Sequence, residues 1–322
     1  MFDVISIGEL LIDFAPYGEK SERAFQQNPG GAPANVVSVL SKLGCNTAFV
    51  GKVGNDAFGH ACKDALDAVH VNTDYMPLSD EYPTTLAFVC LDETGNREFS
   101  FYRDNTADVN LNNEDIAKIK DVPTKIFHFG SVSLTAEPSK TAVLTAVENA
   151  KANGALISYD PNLRLPLWKS AEEAKQGILD TLHYADILKI SEEEAEFLFG
   201  LTDCEAACQH IAQTYGIKFI IITRGPKGCL AMVNDKLYAS YAYDLKTIDT
   251  TGAGDSFLAG VLYNLITSGK DFADMSDAEI NYMFDFANAT GSLVTTKKGA
   301  IPAVPTLEEI KHCMEHEPKL IK

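Results

Sequence analysis

The sequence predicts an α/β fold: a mostly parallel sheet covered by helices, with a small second β-sheet beside it. Short β-branched or aromatic runs, each ended by Gly, Asn or Ser, recur at "NTAFVGKVG", "KIFHFGSVS", "GALISYDPN", "ADILKIS" and "FIIITRG". Helical stretches at 56–69, 139–152, 171–183 and 192–200 separate most of them, and parallel strands need such crossovers. One region breaks the rhythm. "TTLAFVCL" and "REFSFYR" flank "DETGN", a hairpin signature; with extended chain around 12–28 it predicts a small sub-sheet that acts as a lid. The first strand is read in "MFDVISIGELLIDFAP", with Asp13 at its end. This stretch carries Asp3, Glu9 and Asp13 and no basic leader, so it reads neither as a signal peptide nor as a membrane span.

Bulk composition narrows the partners. The 322 residues are 46% hydrophobic and 22% charged, ordinary for a well-cored soluble protein. Forty-five acidic against 27 basic residues leave a net charge of −18, which argues against nucleic acid and anionic membranes and for small molecules. Seven cysteines, an odd number spread from Cys45 to Cys313, form no disulfide framework, so the expected compartment is the reducing cytoplasm. Cys204 and Cys208 sit one helical turn apart but lack a second pair at finger spacing, and read as two thiols on a helix.

Two glycine sites carry the functional signal. In "DTTGAGD", Asp249 to Asp255, two glycines and an alanine precede a lone aspartate. "YAYDLKTI" before it reads as extended chain, and "SFLAGVLYNLI" after it puts Phe257, Leu258, Val261, Leu262, Leu265 and Ile266 on one helical face. At the start of such a helix the N–H groups of Gly252, Ala253 and Gly254 can form an anion hole, with Asp255 beside it as proton acceptor. Phosphoryl transfer to a hydroxyl needs that pair of features. An acid that merely complements the helix dipole would look the same in the motif and contribute about 0.3–1 kcal/mol. No G-x-x-x-x-G-K-[ST] or G-x-G-x-x-G accompanies it, which excludes the P-loop and dinucleotide-binding classes. The second site is "NPGGAPANVVSVLSKLG", where Gly30 and Gly31 precede Pro33 and Asn35 falls in the first turn. Asn35 and Asp13 offer amide and carboxylate groups for a hydroxyl-rich ligand.

"PGGAPANVVSVLSKLGCNTAFVGKVGNDAFG" and "DTTGAGDSFLAGV" resemble the two signatures of the ribokinase-like, or PfkB, sugar kinases, in the right order and over essentially the whole chain. "GELLIDF", "TTLAFVCLDETGNREFSFYR", "SYDPNLR", "KISEEEAEFLFG" and "KKGAIPAVPT" are most similar to bacterial and plant fructokinases.

The resemblance implies one three-layer ribokinase-like kinase domain over 1–322, with a lid of about 12–28 and 84–103. It also implies ATP as donor, Mg²⁺, and transfer of the γ-phosphoryl to a sugar hydroxyl. Asp255 matches the catalytic base, and Gly252, Ala253 and Gly254 the anion hole. Asp13, Gly30, Gly31 and Asn35 match positions holding sugar hydroxyls, while Phe101, Arg103, Asn162 and Arg164 face the sugar or the transferring phosphoryl. On the nucleotide side stand Lys189, Glu194, Thr223, Gly225, Gly228 and Asn288, the last beside adenine. Where the family often has Asn-x-x-Glu for hydrated Mg²⁺, this chain has Ser191 to Glu194, so the glutamate is kept and the amide lost. A K⁺ site near Asp249, Thr251 and Gly299 is also usual in the family, and a homodimer through the lid is compatible with the resemblance.

By residue chemistry alone, Arg103 and Arg164 could be solvated surface charges, and His128, within a strand, reads as a satisfied core histidine. Three functions compete: a fructokinase, a 2-keto-3-deoxygluconate kinase or ribokinase, and a catalytically silent sugar-binding regulator. The presence of Asp255 speaks against the third, and the neutral pocket implied by "GELLIDF" and "TTLAF" favours an uncharged sugar.

Overall fold

The computed structural model describes residues 1–17, 24–91 and 97–320. In chain order the strands are β1 (Phe2–Ile7), β2 (Leu11–Tyr17), β3 (Ala24–Gly30), β4 (Thr47–Val50), β5 (Val53–Gly54), β6 (Leu78–Ser79), β7 (Leu86–Leu91), β8 (Arg97–Tyr102), β9 (Thr124–Phe129), β10 (Leu156–Tyr159), β11 (Ile187–Ser191), β12 (Phe219–Thr223), β13 (Cys229–Val233) and β14 (Lys236–Ser240). The helices are α1 (Ala32–Lys42), α2 (Ala57–Ala68), α3 (Ser139–Ala152), α4 (Ala171–Leu179), α5 (Glu192–Phe199), α6 (Cys204–Tyr215), α7 (Ala253–Ser268), α8 (Asp277–Val294) and α9 (Leu307–His316).

Eight strands form the main sheet in the order β14-β13-β12-β11-β10-β9-β1-β4. The run from β12 to β4 is parallel, and β13 and β14 add an antiparallel edge. Both faces of a parallel sheet must be covered, and the strand period of two divides the core accordingly. In β12, Phe219 and Ile221 join Leu258, Phe284 and Ile310 under α7, α8 and α9, whereas Ile220 and Ile222 join Val143, Ile178 and Ile211 under α3, α4 and α6. Each such side chain contributes about 1.5–3 kcal/mol by leaving water. The apolar face expected of α7 is buried through Phe257, Leu258, Val261, Leu262 and Leu265.

A second sheet, β3-β2-β7-β8, lies beside the first, as the hairpin pattern predicted; "DETGN" and residues 18–23 fall outside the described residues. Two readings are corrected. The first core strand stops at Ile7, the chain turns through Gly8–Leu10, and Asp13 therefore belongs to β2 of the small sheet. "YAYDLKTI" is not a strand: residues 241–248 are irregular, with one bridge from Tyr243 to Lys319. The unanticipated β13–β14 hairpin turns at Asn234 and Asp235, both at positive φ (48° and 64°), a two-residue turn that "VNDK" could have announced.

Candidate active site

The parallel strands aim their carboxyl ends at one region. After β10 come Asn162 and Arg164, β11 carries Lys189 near its end, and α7 begins nearby at the Gly252 turn. Gly252 is the N-cap of α7 in the left-handed conformation, φ 76°, which favours glycine. The opening of α1 is held differently. Any Cβ on Gly31, φ 152°, would stand 2.3 Å from the Glu9 carbonyl oxygen, so the glycine lets the start of α1 approach the chain between the two sheets.

These elements enclose a cavity of about 440 Å³, walled by Asp13, Asn35, Phe101, Asn162, Arg164 and Asp255 among others. Asp255 is buried, and its carboxylate accepts from Asn35 Nδ2 at 2.8 Å and Asn162 Nδ2 at 3.5 Å. Burial, then the neighbouring Asp160 carboxylate, pushes Asp255 up to about 6, against the opposing pull of Asn35, Lys189 and Arg164. Burial likewise raises Asp13 to about 6. Arg164 is exposed on the cavity wall. This is a place for hydroxyls beside a carboxylate able to accept a proton near neutrality.

Across the Gly252 turn lies a second cleft of about 280 Å³, which shares Thr250, Ala253 and Gly254 with the first. The residues expected on a nucleotide side, Thr223, Gly225, Gly228 and Asn288, line it together with Phe257 and Leu320. The cavity and the cleft thus meet at the Gly252–Gly254 turn. Ala253 is not a free donor, because its N–H is turned onto the Thr250 carbonyl at 3.2 Å.

The model of the pfkB family of carbohydrate kinases matches residues 1–307. This chain belongs to that family. It is 41% identical to "Probable fructokinase-5" of Arabidopsis thaliana, over 98% of both chains, and 42% identical to "Fructokinase-2" of Solanum habrochaites, over 95% of this chain and 94% of the relative. In three dimensions it resembles the fructokinase of Vibrio cholerae O395 solved with fructose, ADP and potassium as a double mutant (TM-score 0.88, 31% identity, 97% and 98% of the chains). The fructokinase of Xylella fastidiosa with bound ATP is similar at TM-score 0.87 and 31% identity, over 98% and 99% of the chains. The resemblance read in the motifs holds, as does the ribokinase-like fold, and a pfkB carbohydrate kinase is a sugar phosphotransferase.

For a pfkB kinase, several further residues stand in instructive places. Arg103 does not line the cavity. It is buried, its Nε donates to Asp108 Oδ2 at 2.7 Å, and its two terminal nitrogens donate to Thr135 Oγ1 (2.7 Å) and the Val132 carbonyl (3.1 Å). The expectation that it faces the sugar is corrected: the carboxylate that closes the following "DNTAD", five residues on, captures it, and Asp108 gave no signal in the motif. Ser191 is the N-cap of α5, and Glu194 closes its capping box. Glu194 also takes the Leu163 N–H at 2.7 Å, tying α5 to the Asn162–Arg164 loop. Asp249 accepts from the N–H of Thr251 (2.8 Å) and of Gly299 (3.1 Å), so the three residues expected around a monovalent cation are joined.

Sequence reasoning named Lys189 but missed Asp160, the buried partner that holds it behind Asp255. Lys189 Nζ donates to the buried Asp160 at 2.8 Å and lies 3.0 Å from where a Cβ on Gly254 would stand. Lys189 therefore sits under the shared turn rather than out along the second cleft. Burial alone would depress this lysine, yet Asp160 and Glu194 hold it above its ordinary value. Glu9 was missed too: it is buried in the cavity wall, holds the Ala32 N–H at 3.0 Å, and is raised by burial to about 7. His128 is a core histidine that meets Ser158 Oγ at 3.1 Å and is lowered by burial to about 4. Cys204 and Cys208 lie on α6 with no metal cluster around them among the described residues.

Proposed function

We propose that this chain is a fructokinase that transfers the γ-phosphoryl group of ATP to the 6-hydroxyl of D-fructose. The observation that carries the reading is the buried Asp255 carboxylate at the floor of a hydroxyl-binding cavity, one turn from the nucleotide cleft. Asp13, Asn35 and Asn162 orient the sugar through its hydroxyls, and the acidic pair Asp13 and Asp255 suits an uncharged substrate. Asp255 accepts the hydroxyl proton as the oxygen bonds to phosphorus and the bond to ADP breaks. Lys189 and Arg164 are the cations nearest this exchange, and donors aimed at the transferring group stabilise its charge. Its identity as a fructokinase is tested by following ADP release on a panel of sugars and locating the phosphate by NMR. Fructose 6-phosphate as the main product supports it, and no turnover of fructose removes it.

A 2-keto-3-deoxygluconate kinase remains the second reading because Arg164 lines the cavity and could hold a carboxylate. Arg103, the other candidate clamp, is already held by Asp108, which favours the neutral sugar.

The residues present fit a hydrated divalent cation. Asp160 Oδ1 is buried without a partner, and Asp160 with Glu194 would hold Mg²⁺ through water, where it supplies charge neutralisation to the phosphates. Asp249, with carbonyls near Thr251 and Gly299, would hold K⁺ through hard oxygen ligands.

The domain reading has the whole chain as one kinase unit, with the small sheet as its lid. Leu11, Asp13 and Phe101 of that sheet line the cavity, so closure over bound sugar would exclude water. Hydrogen exchange that slows over β2, β7 and β8 on adding fructose supports a lid; an unchanged pattern at saturation removes it. Phe25 and Tyr102 are exposed on the same sheet and pack around Phe88, a surface on which a second copy could pair, and sedimentation at micromolar concentration tests that. No helix among the described residues is long and apolar enough to cross a membrane; the cytosol is the proposed compartment, testable by cell fractionation.

A further inference from the structure

Beyond residue 307, where the match to the family model ends, the chain forms α9 and then runs back along the nucleotide cleft. Residues 318–320 pair with the irregular segment after β14. The Asp244 N–H donates to the Pro318 carbonyl and the Leu320 N–H to the Ala242 carbonyl, both at 2.8 Å. Ala242, Tyr243 and Leu245 wall the cleft with Leu320 itself. The strap is therefore part of the cavity surface and not a tail lying elsewhere.

Its lysine starts a relay. Lys319 Nζ donates to Asp285 Oδ1 at 2.6 Å, and Ser240 Oγ donates to the same oxygen at 2.6 Å. Having given its only hydrogen to Asp285, Ser240 Oγ can serve Asn288 only as acceptor, and Asn288 Nδ2 donates to it at 2.9 Å. The second amide hydrogen of Asn288 goes to the Phe284 carbonyl at 3.0 Å, which cannot donate in return. The amide orientation is thus fixed by two acceptors, and the Asn288 carbonyl oxygen is the polar atom it has left. An acceptor matches the exocyclic amino group of adenine and meets the carbonyl of guanine with repulsion.

We propose that the 317–320 strap, acting through Lys319, Asp285 and Ser240, orients Asn288 as a hydrogen-bond acceptor and so selects adenine over guanine nucleotides. Lys319 and Ser240 are positioning residues, and Leu320 supplies apolar wall. The inference rests on the second cleft being the nucleotide site. The test is calorimetric binding of ADP and of GDP to the full chain, for wild type, Lys319→Met and Ser240→Ala. Wild type binds ADP at least about tenfold more tightly than GDP, the scale of one gained against one repelled hydrogen bond. Each variant narrows that ratio by about threefold or more, mainly through weaker ADP, while the KM for the sugar stays within about twofold. Both variants keeping the wild-type ADP to GDP ratio overturns the relay. A merely structural strap gives that result with a lowered Tm. Wild type binding neither nucleotide overturns the nucleotide reading and the relay with it, so the two failures are distinct.

Discussion

On one side of the Gly252–Gly254 turn the wall is made of ionisable side chains: Asp13 and Asp255, both raised to about 6 by burial, face Arg164. On the other side it is made of glycines, hydroxyls and apolar groups, from Gly225 and Gly228 to Phe257 and Leu320. The charged side carries a cost in stability, since a buried carboxylate is held ionised against desolvation; the neutral side carries none of that kind. The contrast is what a kinase for an uncharged sugar needs. Chemistry at the hydroxyl requires a desolvated carboxylate of raised basicity, whereas a nucleotide is held by shape and backbone.

The greatest effect is expected at Asp255. Asp255→Asn keeps the size and the Asn35 contact but cannot accept the proton, so kcat falls by at least about 10²-fold. The same change should leave Tm at neutral pH equal or higher. Asp255 has a folded pKa above its unfolded one, so the native state binds more protons between about pH 4 and 6, and ionisation there lowers stability as pH rises. The amide is free of that penalty. In wild type, kcat/KM should fall as pH drops through about 6, because the base is then protonated. Near wild-type kcat in the variant would remove Asp255 from the chemistry.

The two arginines divide the same way. Arg103→Met would leave the buried Asp108 without its cation, at a cost of about 3 kcal/mol or more, and Tm should fall by several degrees. Arg164→Met touches an exposed side chain, so Tm should hold while kcat/KM falls at least about tenfold, as expected for a lost charge-assisted contact. Thermal scans beside steady-state kinetics separate the cases. A stable Arg103→Met variant with crippled turnover would return that guanidinium to the site.

Much of the charged side was legible in the sequence. Asp255, Asn35 and the paired glycines lie in local motifs whose turn and cap chemistry fixes where the side chains go, and the structure brings Asn35 and Asp255 to 2.8 Å across 220 residues of chain. What escaped depends on contacts no local pattern encodes. The capture of Arg103 by Asp108, the Lys189–Asp160 pair under Gly254, and the break of the first strand at Gly8 each follow from packing two sheets together. In "GELLIDF" a lone Glu9 between apolar residues does not mark the break, so periodicity reads one strand where there are two. On the neutral side the glycines were legible, but the strap was not: 318–320 has no motif, and its role comes from pairing with Ala242 and Asp244.

Substrate choice tests the contrast most directly. Desolvating a substrate carboxylate without a dedicated partner costs several kcal/mol, and with Arg103 engaged by Asp108 and Lys189 by Asp160 the cavity offers Arg164 against the carboxyl groups of Glu9, Asp13 and Asp255. Competitive kinetics with D-fructose and 2-keto-3-deoxygluconate, at saturating ATP and Mg²⁺, should give fructose a kcat/KM at least about tenfold higher, roughly 1.4 kcal/mol in transition-state binding. A higher kcat/KM for the acid sugar would make Arg164 a carboxylate clamp and contradict the fructokinase reading.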